Sequence, residues 1–417
     1  MAHPRRPSLG AIFFTVFLDL LGFGLVMPFL ADEARKTFGA TAFVGTLLGA
    51  VYSLMQFLFV PVWGRLSDRV GRRPVLIWSI AATSMAMAAL GFGLAFGASI
   101  LWLFAARIFS GIATANLGTA SAYIADVTPP EERAKGMGLI GMAFGLGFIL
   151  GPGVGGPLAH ISIHGRHGPL ACFVAAGLSL INLVWASFGL AESLPPERKA
   201  RARRAPRSLA PLSLSAARQA FSQPGIAMAV LVNFLIILSF ANLDQTFRYY
   251  NADLFGMSEA ETGYLLAFIG VVAAATQGGI VRQLARRLDE AILIRMGVAL
   301  QIVAFSGLAI APSLGRWMLY VAGAVLAVGN GLTQPSVAAF VSKRADPAAQ
   351  GATLGTNQGA AALGRVFGPA FGGFVYGAVS ERAPYVAAAF GMAVALLFAM
   401  MLRPKTAVVA AEAASAG

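Results

Sequence analysis

"GRLSDRVGRRPVL", residues Gly64–Leu76, sets four arginines and one aspartate into thirteen residues. The runs on either side, "TLLGAVYSLMQFLFVPVW" before it and "IWSIAATSMAMAALGFGLAF" after it, carry no charge. A segment this polar between segments this apolar reads as a short hairpin in water joining two helices in lipid. The whole chain fits that reading, with 57% hydrophobic and 12% charged residues among 417 and a mean hydropathy of +0.73. Soluble domains carry about 25% charged residues and are about half apolar. The fold class expected is therefore an all-α integral membrane protein.

Several functions are excluded by what the sequence lacks. The net charge of +13 is spread over short loops and forms no basic stripe, so no nucleic-acid partner is expected. Cys172 is the single cysteine and can form no intramolecular disulfide or metal cluster; it reads as a small packing residue. His160, His164 and His167 share one loop with no acid or cysteine beside them in sequence, and no metal is expected there. No G-x-x-x-x-G-K-[ST] stretch suggests ATP hydrolysis, and no nucleophile–base pair suggests an enzyme. No cofactor is implied. The opening "RRPSLGAIFFTVFLDLLGFGLVMPFL" is too long for the apolar part of a signal peptide and contains Asp19, so it reads as the first span.

A helix needs about 20 mainly apolar residues to cross the hydrocarbon core. Spans are expected near 10–30, 43–63, 75–96, 99–122, 136–158 and 168–190, then near 225–247, 260–282, 291–311, 317–340, 354–378 and 384–402. That divides the chain into a six-helix half over 1–190, a Pro-, Arg- and Ser-rich linker over 191–222 and a second six-helix half over 223–417. With the N-terminus inside, 23 of the 31 Lys and Arg residues fall in inner segments, and only Arg35, Lys36, Arg166, Arg248, Arg316 and Arg382 fall outside. Both termini are therefore expected in the cytoplasm.

The two halves share a signature. "GFILGPGVGG" from Gly147 and "GRVFGPAFGG" from Gly364 are both G-x-x-x-G-P-x-x-G-G, each in the fifth span of its half. Glycines four apart, here Gly147, Gly151 and Gly155 with Gly156 beside them, let a neighbouring helix come close, and Pro152 can bend the span. A repeat at equivalent positions points to a duplicated, transporter-like chain with a central cavity.

With those residues in view, the chain resembles the major facilitator superfamily. The Gly64–Leu76 stretch is similar to that superfamily's loop G-x-x-x-D-R-x-G-R-R between spans two and three. "LFAARIFSGIATA", Leu103–Ala115, resembles its span-four motif with a buried arginine, here Arg107. The Gly147–Gly156 segment resembles the span-five motif of its proton-driven antiporters. "FLDLLGFGLVMPFL", Phe17–Leu30, is similar to the first span of drug–proton efflux proteins, tetracycline exporters in particular. Those exporters carry further acids in spans three and nine, and "VLIWSIAATSMAMAALGFGLAF" and "AILIRMGVALQIVAFSGLAIA" have none in their interiors. The resemblance implies a monomeric, multi-pass protein of the bacterial inner membrane.

Three charges lie deep in the spans: Asp19, Arg107 and Arg365. At 1.5 Å per residue, Asp19 is roughly 15 Å in from the inner side and Arg107 roughly 12 Å in from the outer. The expectation is that they meet, either as a proton carrier with its tuning arginine or as a static buried ion pair. Arg365 is expected to reach the midplane, and Asp244 to be interfacial at the outer end of span seven. Gln56, Asn116, Asn233, Asn242, Gln245, Gln277, Asn330, Gln334, Asn357 and Gln358 divide between lining a polar cavity and bonding helices together. In the opening loop, with Gly64 and Gly71 at its turns, Asp68 can accept from the N–H groups that start span eleven, and Arg69, Arg72 and Arg73 can pair with Asp126. The resemblance implies that this loop is a latch. The function expected is export of a small amphipathic compound in exchange for protons by alternating access; the alternatives are proton-coupled uptake of a nutrient or osmolyte, or a non-transporting receptor.

Overall fold

The computed structural model describes residues 8–129, 133–197, 199–200, 224–345 and 350–402. Most of the basic linker, Pro130 and Pro347, and the terminal Arg5, Arg6, Arg403 and Lys405 lie outside these. The described chain is helical, with one isolated β-bridge between Ile163 and Arg166. In order the helices are α1 (Leu9–Phe38), α2 (Ala42–Val70), α3 (Arg72–Phe96), α4 (Ile100–Ala113), α5 (Leu117–Val127), α6 (Arg133–His160), α7 (Pro169–Gly189), α8 (Pro224–Phe255), α9 (Glu259–Ala275), α10 (Glu290–Leu314), α11 (Trp317–Arg344), α12 (Gln350–Ala378) and α13 (Ala383–Met400). Among the described residues ten helical segments are long and apolar enough to cross a membrane, counting α4 with α5 as one and α9 with its extension to Leu284 as another. The remaining two, α6 and α12, carry the Gly-Pro signatures.

Local chemistry sets where these helices stop. α1 ends on Gly39 in the left-handed region, and Thr41 caps α2 by accepting from Val44 N–H. Ser99 caps α4 in the same way. At α9, Ser258 and Glu261 bond each other's backbone N–H reciprocally, a capping box. Between α2 and α3 only Gly71 (φ 120) intervenes, and a Cβ on it would lie 2.9 Å from Glu192 Cδ. The charged loop is thus shorter than its sequence suggests: most of it is the last turns of α2 and the first of α3.

Several helices also run past their expected ends. α1 continues through "ADEARK" to Phe38 because Arg35 and Lys36 pair with Asp32 within one turn. α8 continues to Phe255, so Arg248 is buried inside a helix and is no loop residue. The fourth span is broken at Thr114–Asn116, and α9 gives way to a π-helical segment, Thr276–Val281.

Two compact units form: Met1–Pro211 with Met257–Ala267, and Leu212–Gly256 with Phe268–Gly417. Their internal packing follows one plan. In the first, α1 packs on α6 and α7, and α3 on α4 and α7; in the second, α8 packs on α12 and α13, and α10 on α11 and α13. The two plans correspond helix for helix, as duplication requires.

The glycine signatures make the pairings of α1 with α6 and of α8 with α12. A methyl on Gly151 would lie 2.6 Å from Gly24 Cα, one on Gly147 3.0 Å from Leu20 Cβ, and one on Gly155 2.7 Å from Leu25 Cα. On α12, Gly364 and Gly368 meet the backbone at Leu238 at 3.0 and 2.6 Å. Both seams are backbone against backbone, which only glycine permits. Gly151→Val is expected to cost about 3 kcal/mol or more, since overpacking here meets main chain that cannot yield. Thermal melting of purified protein should fall by several degrees, with Gly368→Val matching it. Gly145, with nothing within 4 Å of its Cβ position, should accept alanine without loss; equal losses at Gly145 and Gly151 would contradict the seam.

Candidate functional site

The break between α4 and α5 builds the polar interior of the first unit. Thr114 has φ −82 and ψ 5, so the helical bonds of the preceding carbonyls are interrupted. In a lipid-spanning segment each freed carbonyl needs a donor from the protein. Trp63 Nε1 donates to Ile112 O at 2.6 Å, Ser79 Oγ to Ala113 O at 2.6 Å and Gln56 Nε2 to Thr114 O at 3.4 Å. Gln56 also donates to Tyr52 OH at 2.9 Å and Thr114 Oγ1 at 3.1 Å, and Thr114 Oγ1 donates to Tyr52 OH at 2.8 Å.

Two residues further on, Asn116 turns to α1 and donates to Asp19 Oδ2 at 3.1 Å. From α7, Asn182 donates to Asp19 Oδ1 at 3.1 Å and to Thr15 O at 3.0 Å. Asp19 lies ten residues inside α1, about 15 Å from its start. Each of its oxygens is thus met by one neutral amide. Arg107 is not its partner, contrary to the sequence expectation. The Arg107 guanidinium is 4.0 Å from the Tyr52 ring centroid, donates to Leu48 O at 3.3 Å and reaches Met27 Sδ at 3.1 Å. Met27 stands eight residues beyond Asp19 on α1, about 12 Å farther along the axis. α1 has 30 residues, more than the minimum span, so the two groups meet it at different levels.

The charged loop forms a second cluster. Arg72 Nη2 binds Asp68 Oδ1 at 2.6 Å, Nε binds Asp126 Oδ2 at 3.2 Å, and Nη1 donates to Ser67 Oγ at 2.5 Å. Its backbone N–H donates to Glu192 Oε1 at 2.8 Å, an acid that the sequence reading passed over because it lies 120 residues away. Arg73 donates to Ser187 O at 2.7 Å rather than to Asp126, so of that pair Arg72 is the one brought to the acid. The Arg69 and Gly64 positions fall in the last turns of α2. In the second unit no acid occupies the corresponding place, residue 285 being Ala285.

The amides of the second unit divide by role. Asn233 Nδ2 donates to Asn357 Oδ1 at 3.0 Å and Asn242 Nδ2 to Pro384 O at 2.8 Å; both tie helices together and are buried. Gln245 Nε2 donates to Asp244 Oδ2 at 2.8 Å. Because α8 runs on to Phe255, Asp244 lies eleven residues, about 17 Å, from the helix end. Asn330 and Gln334 are half-buried on α11. Gln277, Gln358 and Arg365 are exposed, Gln277 within the π-helical segment.

The Arg72 cluster yields a stability test. Asp126 has a side chain only 6% exposed, whereas that of Asp68 is 48% exposed. Arg72→Met removes the guanidinium from a buried carboxylate and should cost about 3–5 kcal/mol, against less than about 1 kcal/mol for Asp68→Asn. Thermal melts should show a large fall for the first and a small one for the second; the reverse order would contradict the geometry.

Comparison with known proteins completes the picture. The model of the Major Facilitator Superfamily matches residues 12–358 and 314–416. The tetracycline resistance protein, class C, of Escherichia coli is 34% identical over 376 residues, covering 89% of this chain and 90% of that protein. The Major facilitator superfamily domain-containing protein 10 of Bos taurus is 29% identical over 432 residues, covering 93% and 91%. Among solved structures, that of the human organic anion transporter MFSD10 (TETRAN) superposes with a TM-score of 0.69 at 24% identity, over 95% of this chain and 100% of that one.

Proposed function

Since this chain belongs to the Major Facilitator Superfamily and is a multi-pass membrane transporter rather than an enzyme, we propose that it exports a small amphipathic compound, tetracycline-like or related, in exchange for protons. The observation that carries the reading is Asp19: a carboxylate deep in a membrane helix, held by the amides of Asn116 and Asn182. An intramembrane acid is costly, by roughly 2.5–3.5 kcal/mol on insertion scales, and is seldom kept without a task. Neutral amides bond its oxygens without fixing its charge. Asp19 can therefore take up a proton and give it back without an ion pair being made or broken.

The remaining residues support the same cycle. The Tyr52–Gln56–Thr114 network gives the first unit polar groups suited to an oxygen-rich substrate, beside the acid that carries the proton. Arg107 is a fixed cation on the Tyr52 ring, and it ties α4 to α2 and α1. Arg72 and Asp68 hold α2, α3 and the end of α5 together and serve as the latch. Each net charge carried inward gains about 2.3 kcal/mol per 100 mV, which drives export uphill. The excess of Lys and Arg in one set of loops supports an orientation with both termini in the cytoplasm of a bacterial cell, in the inner membrane. The protein acts as a monomer by alternating access.

Everted membrane vesicles with an imposed pH gradient test this reading. Tetracycline added to vesicles bearing the unsubstituted protein should collapse part of the gradient. Asp19→Asn, inserted to the same level, should leave the gradient intact. Equal collapse by both proteins at every pH would remove Asp19 from the cycle.

A further inference from the structure

The first unit includes a segment from beyond its own six spans, Met257–Ala267, the opening of α9. The seam that seats it is as bare as those between the paired helices. A methyl on Gly263 would lie 3.0 Å from Gly156 Cα, and one on Gly153 2.9 Å from Ala267 Cβ. Across this seam glycine faces glycine, so the two backbones meet directly.

Charged groups ring the seam. Glu259 of α9 is buried and bonded to Lys36 Nζ. The same ammonium lies 3.0 Å from Asp32 Oδ2 and 3.8 Å from Glu33 Oε1, both on α1 and both buried, and Arg35 Nη2 binds Asp32 Oδ1 at 3.1 Å. Oxygens of the three acids lie within 4.8 Å of one another. From the end of α6, His160 Nδ1 stands 2.9 Å from Glu259 Oε2, with its side chain 56% exposed. His167, in the following loop, stacks on His160 with ring centroids 5.6 Å apart. Of the other charged groups nearby, Glu261 is turned to the Ser258 N–H of its own helix, and Arg166 donates to Leu94 O at 3.4 Å.

We propose that His160 is a proton-operated latch that fastens the Met257–Ala267 segment of α9 to α1 and α6. The imidazole is reached by water, while the carboxylate it touches is buried among two others. With a proton on both ring nitrogens, the contact with Glu259 is charge-assisted and adds a cation to a crowded group of anions. Without that proton the ring is neutral, and the repulsion among Asp32, Glu33 and Glu259 is met by one cation fewer. Histidine is the side chain whose ordinary titration changes charge between about pH 5 and pH 8, so acid fastens the segment and alkali loosens it. In an antiporter that collects protons on this side, those protons would close the segment behind them. The latch itself does not depend on which compound is exported.

Purified protein in lipid nanodiscs provides the test. In a Cys172→Ser background, Thr262→Cys places a thiol at a fully buried position of the docked segment. Its reaction with a hydrophilic maleimide is expressed relative to Val379→Cys, an exposed site that corrects for thiolate formation. A charged hydrogen bond exceeds a neutral one by about 1 kcal/mol, so the ratio should rise about fivefold between about pH 5.5 and pH 8. His160→Gln should make the ratio the same at both pH values, and Lys36→Met, which keeps His160, should raise it at both while preserving its change with pH. A ratio that does not change with pH, or a rise that persists in His160→Gln, overturns the proposal. Should Thr262→Cys fail to fold, hydrogen exchange of peptide 257–267, corrected for intrinsic rates and compared between the unsubstituted chain and His160→Gln, reads the same opening.

Discussion

A polar group inside hydrocarbon cannot turn to water, and the helix break, Arg107 and Asp19 of the first unit each answer that constraint. The break at Thr114 is possible because Trp63, Ser79 and Gln56 reach across to the carbonyls it frees. Arg107 is possible because Tyr52 offers a ring face and Leu48 a carbonyl. Asp19 is possible because the break delivers Asn116 to one oxygen and α7 delivers Asn182 to the other. The helix break is thus the means by which the acid is held by amides. Had the fourth span continued as a regular helix, the carbonyls near Asn116 would be bonded within it, and the polar network would lose its reason to gather there.

The second requirement is closeness. Side chains reach such partners only if helices approach one another tightly, and without water to drive association the approach depends on small residues. Gly147, Gly151 and Gly155 bring α6 against α1, and Gly364 and Gly368 bring α12 against α8. The α1 seam leaves its glycine face to α6 while Asp19 is bonded from the α4–α5 break and from α7, so packing and chemistry use different sides of one helix. The second unit keeps the seam and changes the chemistry: its first helix carries Asp244 with Gln245 beside it, nearer the opposite end from Asp19.

The family, the paired halves and the glycine signature were legible in sequence because each is written in contiguous residues: the Gly64–Leu76 loop, the Arg107 stretch, two copies of G-x-x-x-G-P-x-x-G-G. Hydropathy located the helices but not their ends. "ADEARK" looks like a loop by composition, yet it is the last turns of α1, because its acids and bases neutralise one another at helical spacing. The same shortfall at α8 put Arg248 in a loop. Asp19, counted from the start of α1, and Arg107, counted from the start of α4, share a level only across a span of about 30 Å; α1 runs 30 residues, and their neighbours on it are two turns apart. Pairings across long separations left no local trace: Asn182 with Asp19, Glu192 with Arg72, and Glu259 with His160. The last of these supplies the acid that the histidine loop lacks in sequence.

The proposed coupling requires Asp19 to exchange a proton within its two-amide site. Infrared difference spectroscopy of the purified protein across a pH titration measures this without any substrate. Proton exchange there predicts a protonated-carboxyl band that comes and goes with pH and is missing from Asp19→Asn, with the rest of the spectrum unchanged. Identical carboxyl bands in the two proteins would show that Asp19 keeps one charge state throughout, and its role in coupling would be withdrawn.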